Sequence, residues 1–418
     1  MRKIRKKEKI VNSTTLLVTV DVSKEKNMGY FRCPDGTEIM PFDFSNDYSG
    51  FCKLYRMMQE VKVQKHLSGV VFGFESTGPY AEPLVHYLKD KDIKLVQVNT
   101  AHTKKFKEVC DNSPGKTDRK DPRVIADLVE LGRVLQVVIP EGVSAELRRL
   151  THSRERYIRT RTMLVNQLYD LTFIIFPEFY QTFKNIQGKT AQYLLKHYTT
   201  PKGIEKLGKR RLEKILRKVS RGRYGKERAE ELYLAATRSV GVREGLTSII
   251  KEIHNILKAL DVQQGFINQC EADISRNFSQ LSVSAKLLSI KGIGIITAAG
   301  IIGEVADFKK FTSTHEIEKF AGMNLFEISS GKHKGKRRIS KRGRALLRKI
   351  LYFAALNTIR KGGVFHEKYQ DCIRRGMTGN KALIAIARKL LRIMFAMARD
   401  ETEFIIEYHH KPEISEAA

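Results

Sequence analysis

The sequence predicts a multi-domain protein: an N-terminal α/β domain, a central region of long helices with coiled-coil character, and a C-terminal, mainly α-helical domain with a helix-hairpin-helix-like turn. Three observations predict this. Short β-branched runs alternate with helical stretches as far as Pro140; a long apolar repeat with steps of three and four follows; and beyond residue 282 apolar helices flank a Gly-x-Gly turn and a basic segment. At 418 residues and 42% hydrophobic, the chain is long and apolar enough for more than one core. The expected divisions are a basic tail at 1–12, the α/β domain at 13–140, the helical region at 141–281, the C-terminal domain at 282–400 and a tail at 401–418.

Within the first domain, residues 16–22 are dense in β-branched side chains and read as a strand. Residues 29–42 read as two more strands around the Pro34-Asp35-Gly36 turn, and 51–65 as a helix. The apolar run 70–74, bounded by Gly69 and Gly78, reads as a central strand; 82–89 is helical and 94–98 a further strand. In the central region, Leu147, Leu150, Tyr157, Leu164, Leu168 and Leu171 follow a seven-residue frame interrupted by Arg154 and Arg161. Leu246, Ile249, Ile253, Ile256, Leu260, Ile267 and Ile274 make a cleaner heptad, with Gln263 and Cys270 in register. Such a stripe serves an intramolecular hairpin or a dimer seam; we expect a hairpin that also carries a contact in a homo-oligomer, a dimer or tetramer.

Charge is the strongest global feature. Lys and Arg number 76 against 46 acids, a formal net charge of +30, which favours a polyanionic partner and nucleic acid first. Residues 201–228 concentrate Lys202, Lys209, Arg210, Arg211, Lys214, Arg217, Lys218, Arg221 and Arg223. A charge run is ordinarily a solvated face, but the predominance of one sign favours a nucleic-acid contact. In the third region Lys291-Gly292-Ile293-Gly294 precedes an apolar helix; such a turn brings backbone N–H groups to a phosphate, or closes a core hairpin. Residues 332–349 hold ten Lys or Arg, among them Lys334, Lys336, Arg337, Arg338, Lys341, Arg342 and Arg344, and helices are expected over 344–360 and 381–399. With Arg210, Arg211, Lys291, Gly292 and Gly294, these are the expected nucleic-acid contacts. The five cysteines are scattered with no CxxC pair, which suits a reducing cytoplasm rather than a disulfide framework or zinc knuckle. The basic start has no apolar core of a secretory signal, and no run approaches the ~20 apolar residues of a membrane span.

Carboxylates stand where chemistry would need them. Asp21 ends the first strand, Glu75 ends the central strand, and Asp118 and Asp121 are three residues apart, on one face if helical. Hard oxygen ligands of this kind suit Mg²⁺ or Mn²⁺, which activates a phosphodiester. Two other patterns fail. Gly115-Lys116-Thr117 lacks the first glycine of a P-loop, since Cys110 stands there, and His315-Glu316 lacks the second histidine of a zinc protease, since Lys319 stands there.

Asp-Val-Ser-Lys at 21–24, Glu-Ser-Thr-Gly-Pro at 75–79 and Lys-Thr-Asp-Arg-Lys-Asp at 116–121 resemble the DEDD-type transposases of the insertion-sequence one-ten family, which includes the Piv DNA invertases. Gly292-Ile293-Gly294, Phe320-Ala321-Gly322-Met323, Ser329-Ser330-Gly331 and Ser340-Lys341-Arg342-Gly343 follow in the family's order. The resemblance implies an RNase H-like (RuvC-like) N-terminal domain that binds Mg²⁺ through Asp21, Glu75, Asp118 and Asp121. It also implies a nucleophilic serine, matched by Ser330 with Ser329 as the neighbouring alternative, and an oligomer. An element-encoded structured guide RNA that pairs with donor and target DNA is implied as well. The expected activity is therefore DNA transposition in a bacterial cytoplasm, at the nucleoid when active. A site-specific invertase, a metal-dependent nuclease using water, and a non-enzymatic nucleic-acid scaffold share parts of the pattern. Pro122 stands where the family usually has alanine; a proline there can begin a helix and leave Asp118 before it.

Overall fold

The computed structural model describes residues 10–75, 78–111, 121–281, 283–327, 329–330, 333–335 and 337–405. The chain divides into two compact units, Met1–Glu141 with Glu304–Thr402, and Gly142–Gly303 with Glu403–Ala418.

The first unit begins with β1 (Thr15–Asp21), β2 (Lys26–Arg32), β3 (Glu38–Ser45), α1 (Tyr48–Gln64), β4 (Gly69–Glu75), α2 (Ala81–Leu88), β5 (Lys94–Val98), α3 (Thr100–Asp111), α4 (Asp121–Glu130) and β6 (Val134–Gln136). The strands form one sheet in the order β3-β2-β1-β4-β5-β6. The first three strands are an antiparallel meander, β4 and β5 run parallel to β1 and each other, and β6 returns antiparallel along β5. The Pro34-Asp35-Gly36 turn closes as its composition dictates, with the Gly36 N–H donating to Cys33 O at 3.1 Å.

Alternation along the strands sorts the two faces. Leu16, Val18 and Val20 join Phe72 and Phe74 in a core with Leu54 and Met58 of α1 and Leu84 of α2. Leu17 and Val71 face the other way, onto Val124, Ile125, Leu128 and Val129 of α4. Helix and sheet come closest at Gly73, where a Cβ would lie 2.8 Å from Val129 Cγ2 and 3.2 Å from Thr19 Cγ2. Gly73→Ala must therefore displace α4 or two packed side chains. Overpacking of this kind costs about 1–3 kcal/mol, and a lower melting temperature is expected; an unchanged one would mean that α4 shifts without penalty.

The second unit is helical: α5 (Gly142–Ile175), α6 (Phe179–Thr182), α7 (Lys189–His197), α8 (Pro201–Ser220), α9 (Lys226–Thr237), α10 (Leu246–Phe278), α11 (Val283–Leu288) and most of α12 (Ile295–Val305). The predicted heptad lies along α10, where Ile253, Ile256, Leu260, Ile267, Cys270 and Ile274 are all buried. Its partner is α5 of the same chain, running antiparallel: Tyr157 meets Phe266 and Arg154 meets Glu271 at 2.7 Å. The arginines that interrupt the α5 frame are thus absorbed as polar contacts, Arg161 donating to Gln187 at 2.8 Å. The buried positions of α5 are Leu147, Thr151, Val165, Leu168, Thr172 and Ile175 rather than the full predicted leucine set.

The remainder of the first unit contains a 3₁₀ turn (Phe308–Lys310), α13 (Thr314–Ala321), the short strands β7 (Leu325–Phe326), β8 (Ser329–Ser330), β9 (His333–Lys334) and β10 (Arg338–Ile339), and the helices α14 (Ala345–Thr358), α15 (His366–Arg374) and α16 (Gly379–Asp400). In the segment between α13 and α14, read from sequence as basic, β7 pairs antiparallel with β10 and β8 with β9. Glu316 of the rejected zinc motif serves as a helix cap, its carboxylate accepting from Thr312 N at 2.9 Å while Ser313 Oγ accepts from Glu316 N. Glu318, 3% exposed, is neutralised by Arg388 and Arg392 of α16. No described helix is long and apolar enough to cross a membrane.

Candidate active site

Asp21 and Glu75 end neighbouring parallel strands. Val20 pairs with Phe74, so the two acids stand one step further along the same edge of the sheet. Strand alternation puts both on the face of Thr19 and Gly73, which α4 covers. Asp121 is the first residue of α4, and Pro122 follows where its missing N–H leaves no helical bond unmade. Thr19 Oγ1 donates to Pro122 O at 2.6 Å, which fixes that helix start to β1 two residues before Asp21. Asp118 lies outside the described residues, as do Gly115, Lys116 and Thr117.

These acids differ in their surroundings. Glu75 is 8% exposed, and among the described residues its carboxylate has no hydrogen-bond or ion-pair partner. Asp121 is as buried but meets Lys107 Nζ of α3 at 2.5 Å. A mostly buried carboxylate without a protein partner is costly and fits a hard divalent cation. Among the described residues, however, no group of three or more His, Cys, Asp or Glu is close enough to hold a metal ion. The fold gathers three acids on one edge and one face, short of a coordination cluster.

The second part of the site is a backbone clasp. Two of the sequence motifs, Phe320-Ala321-Gly322-Met323 and Ser340-Lys341-Arg342-Gly343, bind each other: Lys341 N donates to Gly322 O at 2.9 Å, Arg344 N to Phe320 O at 3.0 Å and Ser340 N to Asn324 O at 2.9 Å. A Cβ at Gly343 would lie 2.3 Å from Phe320 O, so only glycine permits this approach. Arg348 Nη1 adds bonds to Ala321 O and Gly343 O. Between the two motifs lie β8 and β9, where Ser330 stands opposite His333 in register.

The clasp meets the α/β domain at α3. Arg342 Nη1 donates to His102 Nε2 at 3.0 Å, and His102 lies on α3 just beyond β5, whose Val98 pairs with Glu75. A cavity of about 400 Å³ opens there, lined by Asn99, His102, Arg133, Lys319, Asn324, Ser340 and Arg342. Its three cations, Arg133, Lys319 and Arg342, suit a phosphate, and none of Asp21, Glu75 and Asp121 is in its lining. Burial first, then the positive charges of Arg342, Lys319, Arg133 and Lys105, push the His102 pKa below its ordinary value. A guanidinium can only donate, so His102 accepts as the neutral ring. A depressed pKa means that this contact contributes above pH ~6.5 and is lost as pH falls through the lowered value. We expect stability to drop over that acidic interval and the drop to shrink in His102→Gln; an identical pH profile in the variant would refute the coupling.

Other expected nucleic-acid residues are spread over both units. Arg338 and Lys341 are exposed, Arg337 pairs with Glu327 at 2.9 Å, and Arg344 lies over the Phe320 ring. Lys334 sits in β9, and Lys336 is outside the described residues. Lys291, Gly292 and Gly294 are exposed at the turn before α12, where a Cβ on Gly294 would meet nothing within 4 Å. Arg210 and Arg211 are exposed on α8. Lys107 and His102 escaped the sequence reading because α3 was not expected. The signal available was Asn99, whose side chain accepts from Ala101 N at 2.9 Å as a helix-start residue does.

Two family models match the two ends of the chain that build this site. Residues 18–177 match a transposase model, DEDD_Tnp_IS110, and residues 284–370 match the transposase IS116/IS110/IS902 family. The chain belongs to the IS110 family of DEDD transposases. This transposase is 26% identical to the 44.8 kDa protein of insertion element IS116 of Streptomyces clavuligerus, over 69% of its own chain and 73% of that protein. It is 24% identical to the 43.6 kDa protein of insertion element IS110 of Streptomyces coelicolor, over 71% and 74% of the two chains. The transposase for insertion sequence element IS1111A of Coxiella burnetii is 24% identical over 69% and 68%.

Proposed function

We propose that this IS110-family transposase cuts and rejoins the DNA of a bacterial insertion sequence, using Asp21, Glu75, Asp118 and Asp121 as ligands of Mg²⁺ and Ser330 as nucleophile. The observation that carries the reading is the juxtaposition of Asp21 and Glu75 at the ends of parallel strands, one step beyond the Val20–Phe74 pair, under the helix that Asp121 begins. The strand order β3-β2-β1-β4-β5, with β2 antiparallel to its neighbours, supports an RNase H-like domain. Asp21, Glu75, Asp118 and Asp121 would hold Mg²⁺, which would supply polarisation of the scissile phosphate and stabilisation of the leaving oxygen.

The protein's own groups divide the remaining work. Arg133, Lys319 and Arg342 hold a DNA phosphate. Strand β8 carries Ser330, whose hydroxyl attacks phosphorus; the Ser330–phosphate bond forms as the bond to the departing DNA hydroxyl breaks, and that hydroxyl takes up a proton. The open Gly292–Gly294 turn and the arginines of α8 contact nucleic-acid backbone, including an element-encoded guide RNA. The working form is a homo-oligomer. A DNA invertase of the same family would use the same residues.

The test is a denaturing-gel assay with purified protein, Mg²⁺, RNA transcribed from the DNA flanking the gene and labelled element-end DNA. A covalent protein–DNA adduct that disappears with chelator is the expected result. Cleavage without an adduct would replace this reading with a nuclease that uses water.

A further inference from the structure

The helical unit holds a second basic cavity, of about 670 Å³, built by the segment that leads into α7 and by the turn between α8 and α9. Lys184 and Lys189 line one side and Arg221, Arg223 and Arg228 the other, with no Asp or Glu in the lining. Among the described residues, Lys184, Lys189, Arg221 and Arg223 have no salt-bridge partner. Arg228 pairs with Glu231 and lies over the ring of Tyr224, which also lines the cavity. Like charges converging on a recess repel each other unless an anion joins them.

The backbone points the same way. Arg221 ends α8 in the left-handed region, at φ 53° and ψ 48°, a position that glycine fills at least strain. This cap of α8, its N–H bonded to Arg217 O and Lys218 O, brings Arg221 to the same recess as Arg223. The volume is that of a small-molecule pocket, and the Tyr224 ring offers a surface for a base. A duplex keeps its bases stacked inside and shows only their edges in its grooves, so it has no free base face for the ring.

We propose that this cavity binds one nucleotide of a single-stranded nucleic acid, its phosphate between Arg221, Arg223, Lys184 and Lys189 and its base against Tyr224. The inference concerns the helical unit alone and does not depend on the carboxylates or on Ser330.

The test is binding of the full chain, without divalent metal, to a 12-nucleotide RNA, the DNA of the same sequence, the corresponding duplex and inorganic phosphate. Arg221→Gly with Arg223→Ala removes two pocket cations while relieving the strained residue. Lys251→Ala with Lys258→Ala removes two exposed cations of α10 outside the pocket and serves as the charge-matched control. We expect the pocket variant to keep its melting temperature and to lose on the order of tenfold in single-strand affinity beyond the control, with the salt slope falling by about 0.7 per lost contact. An RNA-only or DNA-only loss would name the natural strand. Equal losses in both variants, an equal loss for duplex, or saturation by inorganic phosphate alone would each overturn the proposal. A pocket variant that melts lower is replaced by Tyr224→Ala, where unchanged single-strand affinity would overturn it as well.

Discussion

Ser330→Ala is expected to abolish the covalent protein–DNA adduct and transposition while leaving nucleic-acid binding intact. Removing a nucleophile from a concerted site typically costs on the order of 10⁴–10⁶ in rate, so the loss should be complete on a gel. The strand pair that carries Ser330 is defined by main-chain pairing, Ser329 with Lys334 and Ser330 with His333. Deleting one hydroxyl leaves that pairing in place, so retained RNA and DNA binding is the control for folding. Ser330, directly before Gly331, matches the family's serine position, and Ser329 stands one residue earlier. Ser329→Ala is therefore expected to retain the adduct; the reverse outcome would move the nucleophile by one residue, and full activity in both variants would remove serine from the mechanism.

Glu75→Gln is the second large effect. The substitution keeps shape and removes charge from a residue that is 8% exposed and, among the described residues, without a bonding partner. An uncompensated buried charge destabilises a fold, so Gln at this position should not lower the melting temperature. Cleavage, in contrast, should fall by about 10²–10³ if the carboxylate holds the activating ion, in line with losses on removing one electrostatic contact from an acyl-transfer site. Asp21→Asn should match it in cleavage. A Glu75→Gln protein that melts markedly lower would show that the carboxylate has a structural task, and one that cleaves normally would exclude it as a ligand.

Much of the first sheet was legible in the sequence because its strands are bounded by local chemistry. Val70 to Phe74 is apolar between glycines, and the Pro34-Asp35-Gly36 turn carries its own conformational instructions. Asp21 and Glu75 were legible for the same reason, as polar residues ending apolar strands. What stayed hidden depends on contacts distant in the chain. His102 meets Arg342 across 240 residues, and no periodicity marks either. The strand β6 has three residues and takes its conformation from β5. The pairs β7–β10 and β8–β9 are two residues long in a run rich in Lys and Arg, where charge masks any alternation. In α5 the leucine frame misled because polar Thr151 and Thr172 are buried, Thr151 donating to Leu147 O at 2.8 Å.

The first unit is discontinuous, made of Met1–Glu141 and Glu304–Thr402. During synthesis the sheet, with all four proposed acids, leaves the ribosome well before its basic clasp exists. Translating the 240 residues between His102 and Arg342 takes roughly 10–50 s at bacterial rates. For that interval the nascent chain carries the acidic edge without Lys319 or Arg342, so the cavity they line is incomplete. Any product truncated before residue 319 is arrested in the same state. Chain order thus acts as a timer, and the cavity proposed to hold a phosphate is complete only once residue 342 has been added.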